Sequence, residues 1–122
     1  MKSNGKKKFN KKKAKKELDT LLSRHVRSRD GICQKCRKTP ATQAAHIFSR
    51  GRLSTRWDEE NIIGLCFYCH LYWAHREPVE FTLWIIDRLG KSEFKKLQEK
   101  SLKIYDPSEF RRDYERIKKE LG

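Results

Sequence analysis

The sequence contains no long apolar run. No segment of the 122 residues approaches the roughly 20 apolar residues of a membrane-spanning helix, and the N-terminus has no apolar signal core. The basic N-terminal segment also lacks the apolar face that an interfacial helix needs. The sequence therefore predicts no membrane partner and a reducing, cytoplasmic location. Only 36% of the residues are hydrophobic and 38% are charged, so the core must be small for the chain length.

Acidic residues are absent from residues 1–16, which carry nine lysines. The remaining residues hold 21 basic and 16 acidic side chains, and the whole chain has a net charge of +14. Because like charges in a block repel, residues 1–16 are predicted to be a disordered arm until they meet a polyanion, most simply a nucleic acid. A solubilising or targeting tail is the alternative. The lysines expected to contact phosphate are Lys6, Lys7, Lys8, Lys11, Lys12 and Lys13.

The four cysteines form two CxxC pairs, Cys33/Cys36 and Cys66/Cys69. In a reducing compartment such pairs are more often metal ligands than disulfides. Two CxxC pairs can supply four thiolates to one tetrahedral zinc ion. A structural zinc is therefore predicted, and it would compensate for the small hydrophobic core.

Hydrophobic patterning predicts an α+β domain. A helix should begin near Leu18 and end at Asp30-Gly31, and short strands are expected within residues 41–49 and 61–65. A helix should open at Cys69, and the chain should be helical beyond Pro78. The predicted division is a zinc-stapled core over residues 17–90 and a C-terminal helical extension over residues 91–122.

The segment between the two cysteine pairs carries a further motif. It contains Ala45-His46-Ile47 and Asn61-Ile-Ile-Gly-Leu-Cys66, and Cys69-His70 follows. This string resembles the HNH endonucleases of the four-cysteine type, whose core is a ββα-metal (His-Me finger) fold. It is similar in particular to the phage recombination nucleases NinG and Rap. The resemblance covers roughly residues 31–90.

The resemblance implies a metal-dependent endonuclease that hydrolyses phosphodiester bonds in DNA. His46 matches the general base, Asn61 the residue that orients the base-bearing loop, and His70 a ligand of a catalytic Mg²⁺ or Mn²⁺. Imidazole suits the base because its ordinary pKa lies near neutrality. By the same resemblance the substrate is a recombination intermediate, such as a Holliday junction or D-loop, in a bacterial or phage-infected cell. Symmetric resolution of a junction would require a homodimer.

The sequence departs from the family at one position. Most members have an Asp or a His as a metal ligand directly before the base histidine, and this chain has Ala45 there. Gln43 would lie on the same strand face as Ala45 and is a candidate substitute, although an amide is a poorer divalent ligand than a carboxylate. Manganese tolerates imidazole better than magnesium does, so it is the better candidate ion.

Other polar residues near the motif have two readings. Arg50, Arg52 and Arg56 lie in a predicted exposed loop between His46 and Asn61, and are predicted to contact phosphate rather than only solvent. His75 follows His70 by five residues, about 140° around an α-helix, so it is expected to be a polar surface residue and not a ligand.

Two alternatives to the HNH nuclease stay open. A non-catalytic zinc-stabilised module could bind nucleic acid through the arm and the arginines. His46 and Asn61 argue against it, since neither is needed for binding, whereas Ala45 argues for it. A restriction or homing nuclease would need an element that reads bases, and none is evident.

Overall fold

The computed structural model describes residues 8–122 and shows an α+β fold that is mostly helical. Its regular elements are α1 (Lys11–Asp30), β1 (Gln43–His46), α2 (Leu53–Arg56), a 3₁₀ turn (Glu59–Asn61), β2 (Ile62–Leu65), a π-helix (Cys69–Ala74), α3 (Pro78–Leu89), α4 (Lys91–Ser101), a second 3₁₀ turn (Pro107–Glu109) and α5 (Phe110–Leu121). The predicted α+β class is confirmed. None of the helices in these residues is long and apolar enough to cross a membrane.

Helix α1 begins earlier than the sequence analysis expected. The Asn10 side chain accepts a hydrogen bond from the Lys13 amide and caps the helix, so residues 11–16 are helical and not disordered. Ala14 is buried one turn before Leu18 and continues its apolar stripe. The lysines at 8 and 11–13 are exposed, whereas Lys6 and Lys7 lie outside the described residues.

The two strands pair antiparallel, with Gln43 opposite Leu65 and His46 opposite Ile62. Because side chains alternate along a strand, the sheet separates two hydrophobic clusters. Ala44 and Ile62 belong to a cluster built on α1 and α5. Ala45 packs in the other cluster, which contains the cysteines, the π-helix and α3. His46 shares the Ala44 face and therefore lies on the α1 side of the sheet.

The C-terminal helices are less separate than predicted. Asp106 caps the turn that precedes α5, and Phe110 and Ile117 of α5 are buried in the same cluster as α1. Helix α5 therefore completes the core beside β1, the strand that carries His46, instead of forming a separate extension. Helix α3 begins at Pro78 as expected and is followed by Gly90, and Phe81 and Ile85 are its buried residues.

Candidate metal and nuclease site

The four cysteines form one cluster suited to a metal ion. Their Sγ atoms all lie within 4.8 Å of one another, and the Cys36 and Cys66 Sγ atoms are 4.0 Å apart. Sulfurs bound tetrahedrally to zinc at about 2.3 Å would be about 3.8 Å apart, whereas a disulfide needs about 2.05 Å. A hydrogen bond from the Lys38 backbone amide is the main cause that lowers the pKa of the Cys36 thiol to about 6. This favours the thiolate that a metal binds. The predicted clustering of the cysteines is confirmed.

His46 ends β1 and is held through one ring nitrogen. Its Nε2 atom lies 2.9 Å from the carbonyl oxygen of Arg56. A carbonyl oxygen only accepts, so Nε2 carries the hydrogen and Nδ1 of the neutral ring keeps its lone pair. Burial, reinforced by the charges of Arg50 and Arg56, lowers the pKa of His46 despite the carbonyl contact. The imidazole is therefore neutral at neutral pH, in a tautomer that can accept a proton at Nδ1.

Asn61 is fully buried and joins the two ends of the loop that follows β1. Its Oδ1 atom accepts a hydrogen bond from the Phe48 amide at 2.8 Å, and its Nδ2 atom donates to the carbonyls of Phe48 (3.0 Å) and Thr55 (3.1 Å). Thr55 precedes Arg56, whose carbonyl holds the His46 ring. Asn61 thus links the start of this loop, just after His46, to the segment that carries the Arg56 carbonyl.

His75 lies beside His70, contrary to the expectation from α-helical geometry. The chain forms a π-helix at this point, and the His75 amide donates to the His70 carbonyl at 3.1 Å, a five-residue spacing. The two Nε2 atoms are 3.1 Å apart. Two imidazole nitrogens bound to one ion at about 2.1 Å would be about 3.0 Å apart at a right angle, or about 3.4 Å tetrahedrally. The observed separation is that of a hydrogen bond between the two rings, and it also lies in the range for two imidazole nitrogens on one ion.

Burial is the main cause that lowers the pKa of His70, and the neighbouring His75 adds to the effect. Metal binding requires neutral imidazole, so this shift keeps His70 ready to coordinate an ion. The sequence could not indicate the pair, because only the π-helical spacing brings the two rings together.

The arginine loop is organised by Asp19 of α1, which the sequence analysis did not identify. Asp19 accepts hydrogen bonds from Nε and Nη2 of Arg56, from Arg50 and from the Trp57 indole. Its burial would raise the pKa of the carboxyl, but the contacts with Arg56, Arg50 and Trp57 lower it on balance. Arg56 is largely buried, whereas the Arg50 side chain is 57% exposed. Arg50 can thus reach a phosphate, while Arg56 mainly holds the loop.

Two of the predicted site residues, Arg52 and Gln43, lie away from His46 and the histidine pair. Arg52 donates to the Ser101 hydroxyl of α4 at 2.8 Å and fastens the loop to that helix. Gln43 lies on the Ala45 face of β1, away from the face that carries His46. Ala45 itself is buried against the cysteine-side cluster. The structure therefore does not bring Gln43 or Ala45 to the histidines.

The predicted base and the histidine pair line one open cavity of about 460 Å³. Its walls are Asp19, Ser23, Ala44, His46, Ser49, Arg50, Ile62, His70 and His75. A neutral histidine, a pair of neighbouring imidazoles and an exposed arginine thus share one cleft.

Comparison with known proteins identifies no relative of this chain. No family model matches the chain, and no curated protein or solved structure is significantly similar to it. The function therefore has to be argued from the site itself.

Proposed function

We propose that this protein is a metal-dependent endonuclease of the HNH type that hydrolyses phosphodiester bonds in DNA. The observation that carries the proposal is the contact between His46 Nε2 and the Arg56 carbonyl, which leaves Nδ1 as the proton acceptor of a residue that lines the same cleft as His70 and His75. A histidine that served only for packing would not need a fixed tautomer beside a second pair of imidazoles.

Each residue of the cleft has a distinct role. His46 Nδ1 accepts a proton from the attacking water, and Asn61 keeps the loop of Arg56 in register with His46. Arg50 contacts the phosphate next to the cleaved bond through its exposed guanidinium. His70 and His75 hold the divalent ion, which when bound supplies Lewis-acid stabilisation of the phosphate and the leaving oxygen.

The ligands favour manganese over magnesium. Among residues 8–122, Asp19 is the only carboxylate lining this cavity, and its two oxygens already accept four hydrogen bonds. The available protein ligands are therefore imidazoles, which suit softer ions, whereas Mg²⁺ prefers oxygen. The cysteine cluster is the proposed site of a separate zinc ion that stabilises the fold.

DNA is the proposed partner because the chain carries a net charge of +14 and an exposed lysine-rich start to α1. The resemblance to NinG and Rap extends the proposal to branched recombination intermediates. Symmetric cleavage of a four-way junction would require two copies of the cleft and hence a homodimer.

The test is cleavage of supercoiled and branched DNA with Mn²⁺ or Mg²⁺. His46→Ala should reduce the rate at saturating DNA by about 10²- to 10⁴-fold and leave zinc content and DNA affinity unchanged. His70→Ala and His75→Ala should each raise the Mn²⁺ concentration needed for half-maximal cleavage. His25→Ala, at a histidine bound to Glu59, is the matched control and should cleave normally.

A nucleic-acid-binding module without catalysis is the second candidate. The saturated Asp19 favours it, since the cleft then offers no free carboxylate to a metal. Tight DNA binding by a wild-type protein that cleaves no DNA with either ion would replace the nuclease proposal with this one.

A further inference from the structure

The second cysteine pair carries an exposed group of aromatic rings. Phe67, Tyr68 and Tyr72 are 55%, 67% and 46% exposed, and together they are called the aromatic platform here. The Tyr72 ring lies 6.1 Å from Phe67 and 5.5 Å from Tyr68, so the three side chains are contiguous. Single exposed apolar residues are common on proteins, but a contiguous group marks an interaction surface.

Folding does not account for these rings. Cys66 and Cys69 direct their sulfurs into the cluster of four cysteines, and the two residues between them are exposed. Neither Phe67 nor Tyr68 belongs to either hydrophobic cluster of the protein. Their large apolar surface therefore remains in water in the free protein.

The charges around the platform indicate the partner. Residues 31–76, which include both cysteine pairs and most of the cleft, contain seven lysines and arginines and three acidic residues, Asp58, Glu59 and Glu60. Asp19 and the two net negative charges of a zinc tetrathiolate offset only part of this charge. Arg76 lies directly at the platform, with its guanidinium 5.6 Å from the Tyr72 ring centroid.

An exposed group of aromatic rings beside positive charge suits the binding of a nucleic acid strand. The bases present flat faces for stacking and the phosphates supply the negative charge. A second copy of this chain is a poorer occupant, since it would bring the same positive charge to the interface.

The platform and the histidine pair lie on one short segment of the chain. His70 and Tyr72 are two residues apart in the same π-helix, and a helix with its side chains is only about 10–12 Å across. A strand that leaves the cleft can therefore reach the platform within a few nucleotides. Paired bases are stacked within the duplex and cannot offer their faces, so only unpaired bases can use it.

We propose that Phe67, Tyr68 and Tyr72 stack against unpaired bases of a DNA strand adjoining the cleft, so that the preferred substrates carry a single-stranded segment. This rests on the proposed nuclease function and narrows its substrate class. Base stacking on protein aromatics is sequence-tolerant, so the platform selects DNA structure and not sequence.

The experiment measures binding of the zinc-loaded full chain to fluorescent oligonucleotides without added Mn²⁺ or Mg²⁺, so that cleavage plays no part. Tyr68→Leu and Phe67→Leu keep an apolar side chain but remove the ring. Each should weaken single-strand affinity about 5- to 150-fold, the equivalent of one lost base stack. Tyr68→Phe keeps the ring and should bind normally. Val79→Ala and Leu83→Ala remove exposed apolar groups of α3 and are the matched controls.

Three further readouts decide the proposal. Duplex affinity and the salt dependence of binding should not change in the leucine variants, because no charge is lost. A 2-aminopurine base in the single strand should be quenched by wild type and not by the double leucine variant. Equal losses on duplex and single strand, unchanged single-strand binding, or a wild-type dimer in sedimentation that both leucine variants disrupt would overturn the proposal. If the wild type cleaves no DNA but its single-strand binding is weakened by the leucine substitutions, the platform proposal stands and the nuclease proposal fails.

Discussion

Replacing Asn61 by alanine should destabilise the protein by about 3–5 kcal/mol. The substitution removes three hydrogen bonds at a fully buried position, each worth about 1 kcal/mol. The lost amide also leaves a small cavity, which adds about 1 kcal/mol. A domain of this size has a total stability of about 5–15 kcal/mol, so the variant should fold but unfold at much lower denaturant. Urea unfolding at fixed zinc concentration measures the change.

The matched control is Asn10→Ala, which removes one exposed hydrogen bond at the start of α1 and should cost about 1 kcal/mol. Equal destabilisation by the two variants would refute the reasoning, since it would mean that the backbone contacts of Asn61 contribute nothing beyond one cap. Cleavage by Asn61→Ala should fall less than cleavage by His46→Ala under conditions where both variants are folded, because in the proposed mechanism Asn61 orients and His46 reacts.

Three other perturbations have defined outcomes. Cys66→Ser should lose stoichiometric zinc, measured by metal analysis, and unfold much of residues 31–75, because metal binding energy is folding energy here. Arg50→Met removes a charge that lowers the pKa of His46, so the acid limb of the pH profile of kcat/KM should shift to higher pH. Deleting residues 2–8 removes four lysines and hence up to about four phosphate contacts, so the plot of log affinity against log salt should become less steep. Cleavage at saturating DNA should be retained.

The sequence predicts best where local signals act alone. Helix α1 ends at Asp30, just before Gly31, and α3 begins at Pro78, because glycine stops and helix-starting prolines depend on a few adjacent residues. The clustering of the cysteines also followed from spacing, since two CxxC pairs have few other uses in one small reduced domain.

It predicts poorly where a tertiary contact overrides local preference. Lysine repulsion suggested disorder through residue 16, but burial of Ala14 among α1 and α5 side chains stabilises the first turns of α1. His75 was assigned to the wrong helix face because the π-helix, which no local signal announces, changes the angle between residues. Asp19 was missed since its four donors come from a loop more than 30 residues away.

These long-range contacts explain why α1 belongs to the site although it lies outside the HNH resemblance. The His46 ring is fixed by the Arg56 carbonyl, and the Arg56 side chain is fixed by Asp19 of α1. The neighbouring Thr55 carbonyl is fixed by Asn61 next to β2. One short segment is therefore held from two sides by two independent polar residues. Loosening either residue should move the same carbonyl, so their effects on His46 should be non-additive, as expected for residues that share a partner.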